Sequence, residues 1–157
     1  MNKRLVIDAE KCDGCGICEL VCALNKTGQW HPALSRIRVF ADQKRELHLP
    51  MICVHCIDPL CITACLMNVI KKDQETGLTI RDESLCIGCR ACEISCPFSG
   101  CIYDYTREIV VNCDLCQGDP ICVKYCPTKA LQFVSEAESA AQKRDETAEK
   151  RVVELVG

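Results

Sequence analysis

The cysteines of this chain are spaced, not scattered. Sixteen of its 17 Cys fall into four groups of four along 157 residues. The first is Cys12, Cys15, Cys18 and Cys22, with gaps of two, two and three residues. The third, Cys86, Cys89, Cys92 and Cys96, repeats that spacing and is followed by Pro97. The second, Cys53, Cys56, Cys61 and Cys65, widens the middle gap to four residues. The fourth, Cys113, Cys116, Cys122 and Cys126, widens it to five and is followed by Pro127. Cys101 stands alone. With aromatics at only 4%, a conventional core is thin, and something must staple the chain. Disulfides, zinc and iron–sulfur clusters are the candidates.

The spacing separates them. An odd number of Cys does not favour a closed disulfide framework. Structural zinc favours pairs of C-x2-C divided by a longer spacer. Groups one and three instead match the run that holds [4Fe–4S] clusters, in which the fourth Cys ligates the other cluster of a pair. Three Cys at i, i+3 and i+6 can curl around one cube. The fourth lies about one helical turn further on and points to a neighbouring cube. Gly14, Gly16 and Gly88 supply the tight turns, and Pro97 and Pro127 are expected to end a short helix after the fourth ligand. Four [4Fe–4S] clusters are the expected cofactors, with all sixteen grouped Cys as ligands.

Groups one and three align with each other, and groups two and four share Asp-Pro before their third Cys (Asp58-Pro59 and Asp119-Pro120). The order is an internal repeat of compact and expanded motifs. Short strands bracket the motifs: Arg4–Asp8, a hairpin of Arg36–Phe40 with Glu46–Leu49 around Asp42-Gln43, a second of Val69–Lys71 with Leu78–Arg81, then Ile102–Tyr105, Glu108–Val111 and Leu131–Val134. Short helices are expected to start at the third Cys of each group. Residues 135–157 lack Cys and are rich in Ala, Glu, Lys and Arg. They read as a helical tail, with Ser135 and Glu138 as a capping box and Glu146–Lys150 as an i,i+4 pair. The fold class is α+β: a four-cluster ferredoxin-like domain over 1–134 and a C-terminal helix over 135–157.

A net charge of −3 and the lack of a basic block argue against a nucleic-acid partner. No apolar run approaches the roughly 20 residues of a membrane span. Met1–Asp8 has no apolar stretch of the kind a secretory signal needs. A cytoplasmic location is expected, where disulfides are rare.

The four motifs resemble those of the four-cluster ferredoxin-like subunits that serve molybdenum or tungsten pterin enzymes and some hydrogenases. The likeness covers about residues 3–134 and is carried by Cys12-Asp-Gly-Cys-Gly-Ile-Cys, by Val54-His55-Cys56 with Pro59-Leu60-Cys61, and by Cys96-Pro97-Phe98. Ala23 and Leu66 follow groups one and two where small free ferredoxins have Pro. The resemblance implies two pseudo-symmetric units, an outer one from motifs one and four and an inner one from motifs two and three. It implies one cluster on Cys12, Cys15, Cys18 and Cys126, and a second on Cys113, Cys116, Cys122 and Cys22. A third is then held by Cys53, Cys56, Cys61 and Cys96, and a fourth by Cys86, Cys89, Cys92 and Cys65. It implies a non-catalytic electron-transfer subunit beside a catalytic oxidoreductase subunit, with the tungsten aldehyde oxidoreductase type as the best match. A hydrogenase or formate dehydrogenase subunit and a free polyferredoxin are the alternatives. A flavoprotein or other electron-exchange subunit is a further implied partner.

No phosphate loop or acid–base pair accompanies the motifs, so no catalytic residue is assigned. Cys101 reads as a small buried residue beside a cluster. His55 either bonds a cluster sulfur or faces solvent. Trp30 reads as loop packing, and Lys71-Lys72 as a solvated turn. The tail carries its best apolar residues at its far end (Val152, Val153, Leu155 and Val156). It either folds back on the domain or docks on another chain, including a head-to-tail copy.

Overall fold

The structure is a computed structural model that describes residues 3–156, with side chains through Glu154. Residues 1, 2 and 157 lie outside the described residues, as do the side chains of Leu155 and Val156 at the apolar end of the expected tail. The chain forms a small mixed helix and sheet fold in which each ribbon has two antiparallel strands. β1 (Lys3–Ile7) leaves the start of the chain and pairs with β8 (Leu131–Ser135) near its end, from Lys3↔Ser135 to Ile7↔Leu131. β2 (Ile37–Asp42) and β3 (Leu47–Ile52) form a hairpin, as do β4 (Ile70–Lys72) with β5 (Thr79–Arg81), and β6 (Cys101–Asp104) with β7 (Ile109–Asn112).

The first hairpin runs further than the alternation predicts. Its turn lies beyond Asp42, whose carboxylate accepts from the N–H groups of Lys44 at 3.0 Å and Arg45 at 3.3 Å, an Asx turn. The extension carries β3 to Ile52, directly before the second cysteine motif, and buries Pro50 opposite Val39.

Each motif nucleates a helix one residue before its third Cys. These are α1 (Ile17–Thr27), α2 (Leu60–Thr63), α3 (Ala91–Ile94) and α4 (Ile121–Lys124). α2, α3 and α4 are single turns, and they stop before the fourth Cys. Pro97 and Pro127 therefore do not end them, contrary to the expectation from sequence. A left-handed residue instead redirects the chain three positions after the fourth Cys: Asn68 (φ 53°), Ser99 (φ 49°) and Lys129 (φ 59°). Only α1 continues through its fourth Cys, where Val21, Cys22 and Ala23 are all buried. α1 packs against α4, and α2 against α3. Motif one thus lies beside motif four, and motif two beside motif three.

Two apolar cores result. One gathers Cys18, Cys22, Ile37, Ile52, Cys113, Leu115, Cys122, Cys126 and Leu131. The other gathers Cys61, Val69, Ile70, Cys92, Cys101 and Val110. A series of ion pairs spans them. Arg36, with 12% of its side chain exposed, pairs with Glu83 at 2.9 Å and Asp114 at 3.1 Å. Asp114 also takes Lys26 at 2.8 Å, and Glu83 takes Arg107 at 2.7 Å.

α5 (Glu136–Val156) begins with the expected capping box: Ser135 N–H donates to Glu138 Oε2 at 2.8 Å, and Glu138 N–H to Ser135 Oγ at 3.3 Å. The helix lies along its own domain through polar contacts: Arg4 with Glu136, Gln142 with Gln132 at 3.1 Å, and Lys150 with Glu10 at 3.1 Å. Lys150 hydrogen-bonds Glu10 and not Glu146, the partner predicted from spacing, since a tertiary carboxylate is within its reach. Ala137, Ala140, Ala141, Ala148, Val152 and Val153 stay exposed.

Candidate functional site

Backbone geometry prepares the cysteine loops. Gly14, Gly16 and Gly88 take the expected positive φ, at 73°, 71° and 67°. Arg90 occupies in motif three the place that Gly16 holds in motif one, and adopts φ 62° without being glycine. Gly88 is needed for space as well, because a Cβ there would lie 2.1 Å from the Glu108 carbonyl oxygen. Gly100 has the same role between motifs: a Cβ on it would lie 2.5 Å from Cys53 Cα, and its N–H donates to Cys96 Sγ at 3.2 Å. It holds the end of motif three against the start of motif two.

The thiols gather around spaces. Cys12, Cys15, Cys18 and Cys126 line one cleft together with Val39, Pro50 and Leu131. Cys65, Cys86, Cys89 and Cys92 line another with Met67, Val69 and Val110. Cys122 and Cys22 lie near enough to Cys113 for their charges to raise its thiol, as Cys22 and Cys116 do for Cys122. Cys61, Cys96 and Cys56 stand in the same relation to Cys53. Every grouped Cys therefore neighbours its own motif or the motif packed against it. Cys15 and Cys89 are exposed and the other grouped thiols are buried or half-buried.

The donors suit iron–sulfur cubes. They are all sulfur, a soft ligand set. A single zinc draws thiolates to about 2.3 Å from one point. Among the described residues no three Cys, His, Asp or Glu side chains meet that closely, and the thiols ring a volume instead. Hydrogen bonds are aimed at the sulfurs. Arg36 N–H donates to Cys22 at 3.3 Å and Leu115 N–H to Cys113 at 3.3 Å. Asn25 Nδ2 reaches Cys116 at 3.6 Å. Around Cys126, N–H groups of Leu131, Ala130 and Thr128 and the Thr128 hydroxyl outweigh burial and lower the thiol's pKa.

Elsewhere burial dominates. It pushes the Cys18 and Cys122 thiols up to about 12 and Cys53 to about 11, and raises Cys113 as well. A bare thiolate is costly at those places, and bonding to a cation is what offsets the cost.

Cys101 is 3% exposed and lies between Cys61 of motif two and Cys92 of motif three. Hydrogen bonding with Cys101 and the nearby Arg81 charge lower the Cys61 and Cys92 thiols, while Cys101 is raised and keeps its proton. Arg81 Nη2 donates to Cys92 Sγ at 3.4 Å and approaches Cys101 Sγ at 3.8 Å.

Two expectations from the sequence need correction here, and one open reading is decided. Lys72 is not part of a solvated turn. It is the half-buried end of β4, and its Nζ donates to the carbonyls of His55 and Cys56 at 2.7 Å each. Strand alternation turns Lys72 inward and leaves Lys71 outside. Trp30 is 66% exposed and is not packed in its loop. His55 does not face solvent: its ring is half-buried, and burial lowers its pKa to about 4.

Comparison with known proteins gives the same account. Residues 45–136 match the family model of the 4Fe-4S dicluster domain. The chain is 39% identical to the polyferredoxin-like subunit of the aliphatic sulfonate oxidoreductase of Pyrococcus furiosus, over 78% of this chain and 70% of that protein. It is 34% identical to the B subunit of the anaerobic dimethyl sulfoxide reductase of Escherichia coli, over 81% of this chain and 70% of that one. It is 38% identical to the β subunit of the NADH-dependent phenylglyoxylate dehydrogenase of Aromatoleum evansii, over 85% of this chain and only 30% of that subunit. In fold it is similar to a chain of the active-site complex BamBC of benzoyl-coenzyme A reductase in complex with zinc, with a TM-score of 0.50 at 21% identity over 98% of this chain and 96% of that one. Among the described residues no helix is long and apolar enough to cross a membrane. From the motifs, the family match and these relatives, the protein belongs to the 4Fe-4S dicluster family of ferredoxin-like electron-transfer subunits of oxidoreductases.

Proposed function

We propose that this chain carries electrons through four [4Fe–4S] clusters between a catalytic oxidoreductase subunit and a second redox partner. The ligand sets are Cys12, Cys15, Cys18 with Cys126; Cys113, Cys116, Cys122 with Cys22; Cys53, Cys56, Cys61 with Cys96; and Cys86, Cys89, Cys92 with Cys65. The observation that carries the proposal is the pair of clefts, each lined by three Cys of one motif and the fourth Cys of the motif packed against it. The first and second sets make an outer unit and the third and fourth an inner one, in two related halves.

When bound, each cluster supplies a one-electron site. The chain's own part is to hold the thiolates, to shield them from water and to tune their charge. Four oxidised clusters of about −2 each take the formal charge from −3 to about −11, and N–H donors and the Arg81 guanidinium offset it locally. In a globule about 40 Å across, four centres lie close enough for fast hops.

Docking on a larger subunit is supported by the exposed apolar side chains. Among the described residues, ten of the 18 large ones lie from Val54 to Phe98, in and between motifs two and three, with Ile57 95% and Ile94 84% exposed. Exposed large apolar side chains in such number along one stretch of the chain favour a protein interface. A tungsten or molybdenum pterin enzyme is the catalytic partner we favour, on the motif resemblance. α5, with its exposed Val152 and Val153, is the second candidate contact, to that partner or to another copy.

The test is metal and sulfide analysis with EPR on anaerobically purified protein. About sixteen iron and sixteen sulfide per chain are expected from four cubes. In Cys22→Ser the cluster of motif four should change and that of motif one should not, and Cys101→Ala should keep full iron. Zinc without acid-labile sulfide, or a motif-one signal lost with Cys22, overturns the proposal.

A further inference from the structure

Among the described residues, two buried side-chain polar atoms lack a hydrogen-bond partner: His55 Nε2 and Thr79 Oγ1. They belong to residues bonded directly to each other. The Thr79 backbone N–H donates to His55 Nδ1 at 3.0 Å. That bond occupies the Nδ1 lone pair, so the neutral ring carries its proton on Nε2. Nε2–H is then a buried donor with no protein acceptor, and the Thr79 hydroxyl is a second buried donor on the residue whose N–H bonds the ring.

Both groups are held in position. His55 lies between Cys53 and Cys56, in the left-handed region at φ 51°. Lys72 clamps its carbonyl and that of Cys56. Thr79 is 2% exposed, and Asn112 Nδ2 holds its carbonyl at 2.9 Å. The imidazole passes Cys53 Sγ at 3.9 Å from Nδ1. The His55 ring cannot turn to solvent without breaking its Nδ1 bond, and the Thr79 backbone is fixed on both sides. An unmet buried donor is costly, and two of them on hydrogen-bonded residues beside a metal-binding loop point to an acceptor supplied by what the loop binds.

We infer that His55 Nε2–H and Thr79 Oγ1–H donate to sulfurs of the cluster held by motif two, and so set that cluster's reduction potential above the value its thiolates alone would give. This rests on the four-cluster proposal. Sulfide and thiolate sulfurs are acceptors of the kind two donors need. Reduction adds one negative charge to a cluster, so donors aimed at it favour the reduced form. No bond is made or broken.

Redox titrations followed by EPR test this on the full chain, with iron and sulfide measured beforehand. His55→Leu removes the ring donor, Thr79→Val removes only the hydroxyl and keeps the strand, and His55→Gln returns an N–H near the Nε2 position. In His55→Leu one midpoint should fall by about tenfold in the reduction equilibrium, about 59 mV for one electron, and His55→Gln should recover most of it. Thr79→Val should lower the same midpoint by a smaller step. If iron is complete and every midpoint is unmoved in either His55→Leu or Thr79→Val, the donors face water and the inference is overturned. Should His55→Leu lose iron, Thr79→Val alone decides. An unsubstituted protein without sulfide would instead refute the cluster proposal itself.

Discussion

Gly100→Ala asks whether motifs two and three share a cluster. The added methyl would lie 2.5 Å from Cys53 Cα and 2.8 Å from its backbone N, where ordinary contact begins at 3.4 Å. The shortfall is about 1 Å, and carbon atoms pack best at about 3.5–4.0 Å. Both atoms are main chain, so no side chain can swing aside. Overpacking of this sort costs about 1–3 kcal/mol, which a folded protein can survive. Ligand distances tolerate only about 0.2 Å. The displacement falls on Cys53 and on the Gly100 N–H to Cys96 Sγ bond, both belonging to one proposed cluster. The protein should fold with one cluster missing, and iron should drop from about sixteen to about twelve per chain. Gly28→Ala is the control. Its backbone is left-handed at φ 73°, a strain that Gly100 does not share, but nothing lies within 4 Å of the new methyl, so it should keep all its iron. Full iron and an unchanged EPR spectrum in Gly100→Ala would refute the reasoning.

Two further perturbations test other contacts. Burial alone would raise the Asp104 carboxyl, but hydrogen bonds from Thr106 and Arg107 hold it at about 2. Its folded pKa is depressed, so the stabilisation is full above the ordinary value near 3.8 and is lost as pH falls toward 2. Asp104→Asn should cost about 2 kcal/mol in urea unfolding at pH 7, a figure already discounted because Arg107 is 44% exposed. The difference from the unsubstituted protein should be constant from pH 7 to pH 5, so a difference that disappears by pH 6 would rule out this origin. Deleting residues 136–157 should leave iron content intact, because α5 is attached by exposed polar pairs worth about 0–1 kcal/mol each. Native mass spectrometry should then show weaker assembly with the partner or with other copies, and assembly equal to that of the full chain would exclude the tail as a connector.

The turns of the cysteine loops were legible because their signal is local: Gly14, Gly16 and Gly88 take the positive φ that the motifs announce. The capping box of α5 was legible for the same reason. The hidden features depend on contacts distant in sequence. Nothing in Lys71-Lys72 says that one Lys is turned onto a motif 16 residues earlier. Gly100 looks like any loop glycine until Cys53 is placed against it. His55 had two readings, and only the Thr79 N–H at its Nδ1 separates them. Arg36 drew no notice, yet it joins the two cores through Glu83 and Asp114.

The pairing of β1 with β8 has a consequence for how the protein is made. A ribosome delivers the chain from its start, and Lys3–Ile7 must wait for Leu131–Ser135 before it has a neighbour. The thiols of motif one wait equally long for Cys126. Motifs two and three, by contrast, are complete once residue 96 has emerged. Loop closure does little to set this order: comparing Cys12 to Cys126 with Cys53 to Cys96, the logarithmic penalty differs by only about 1 kcal/mol. Availability sets it. With the proposed ligand sets, the inner pair of clusters could be loaded while synthesis continues, whereas the outer pair could close only after nearly the whole domain has been translated. On the proposed pairing, iron delivery would be divided into an early and a late stage, and a chain truncated by premature termination would lose the outer relay while keeping the inner one.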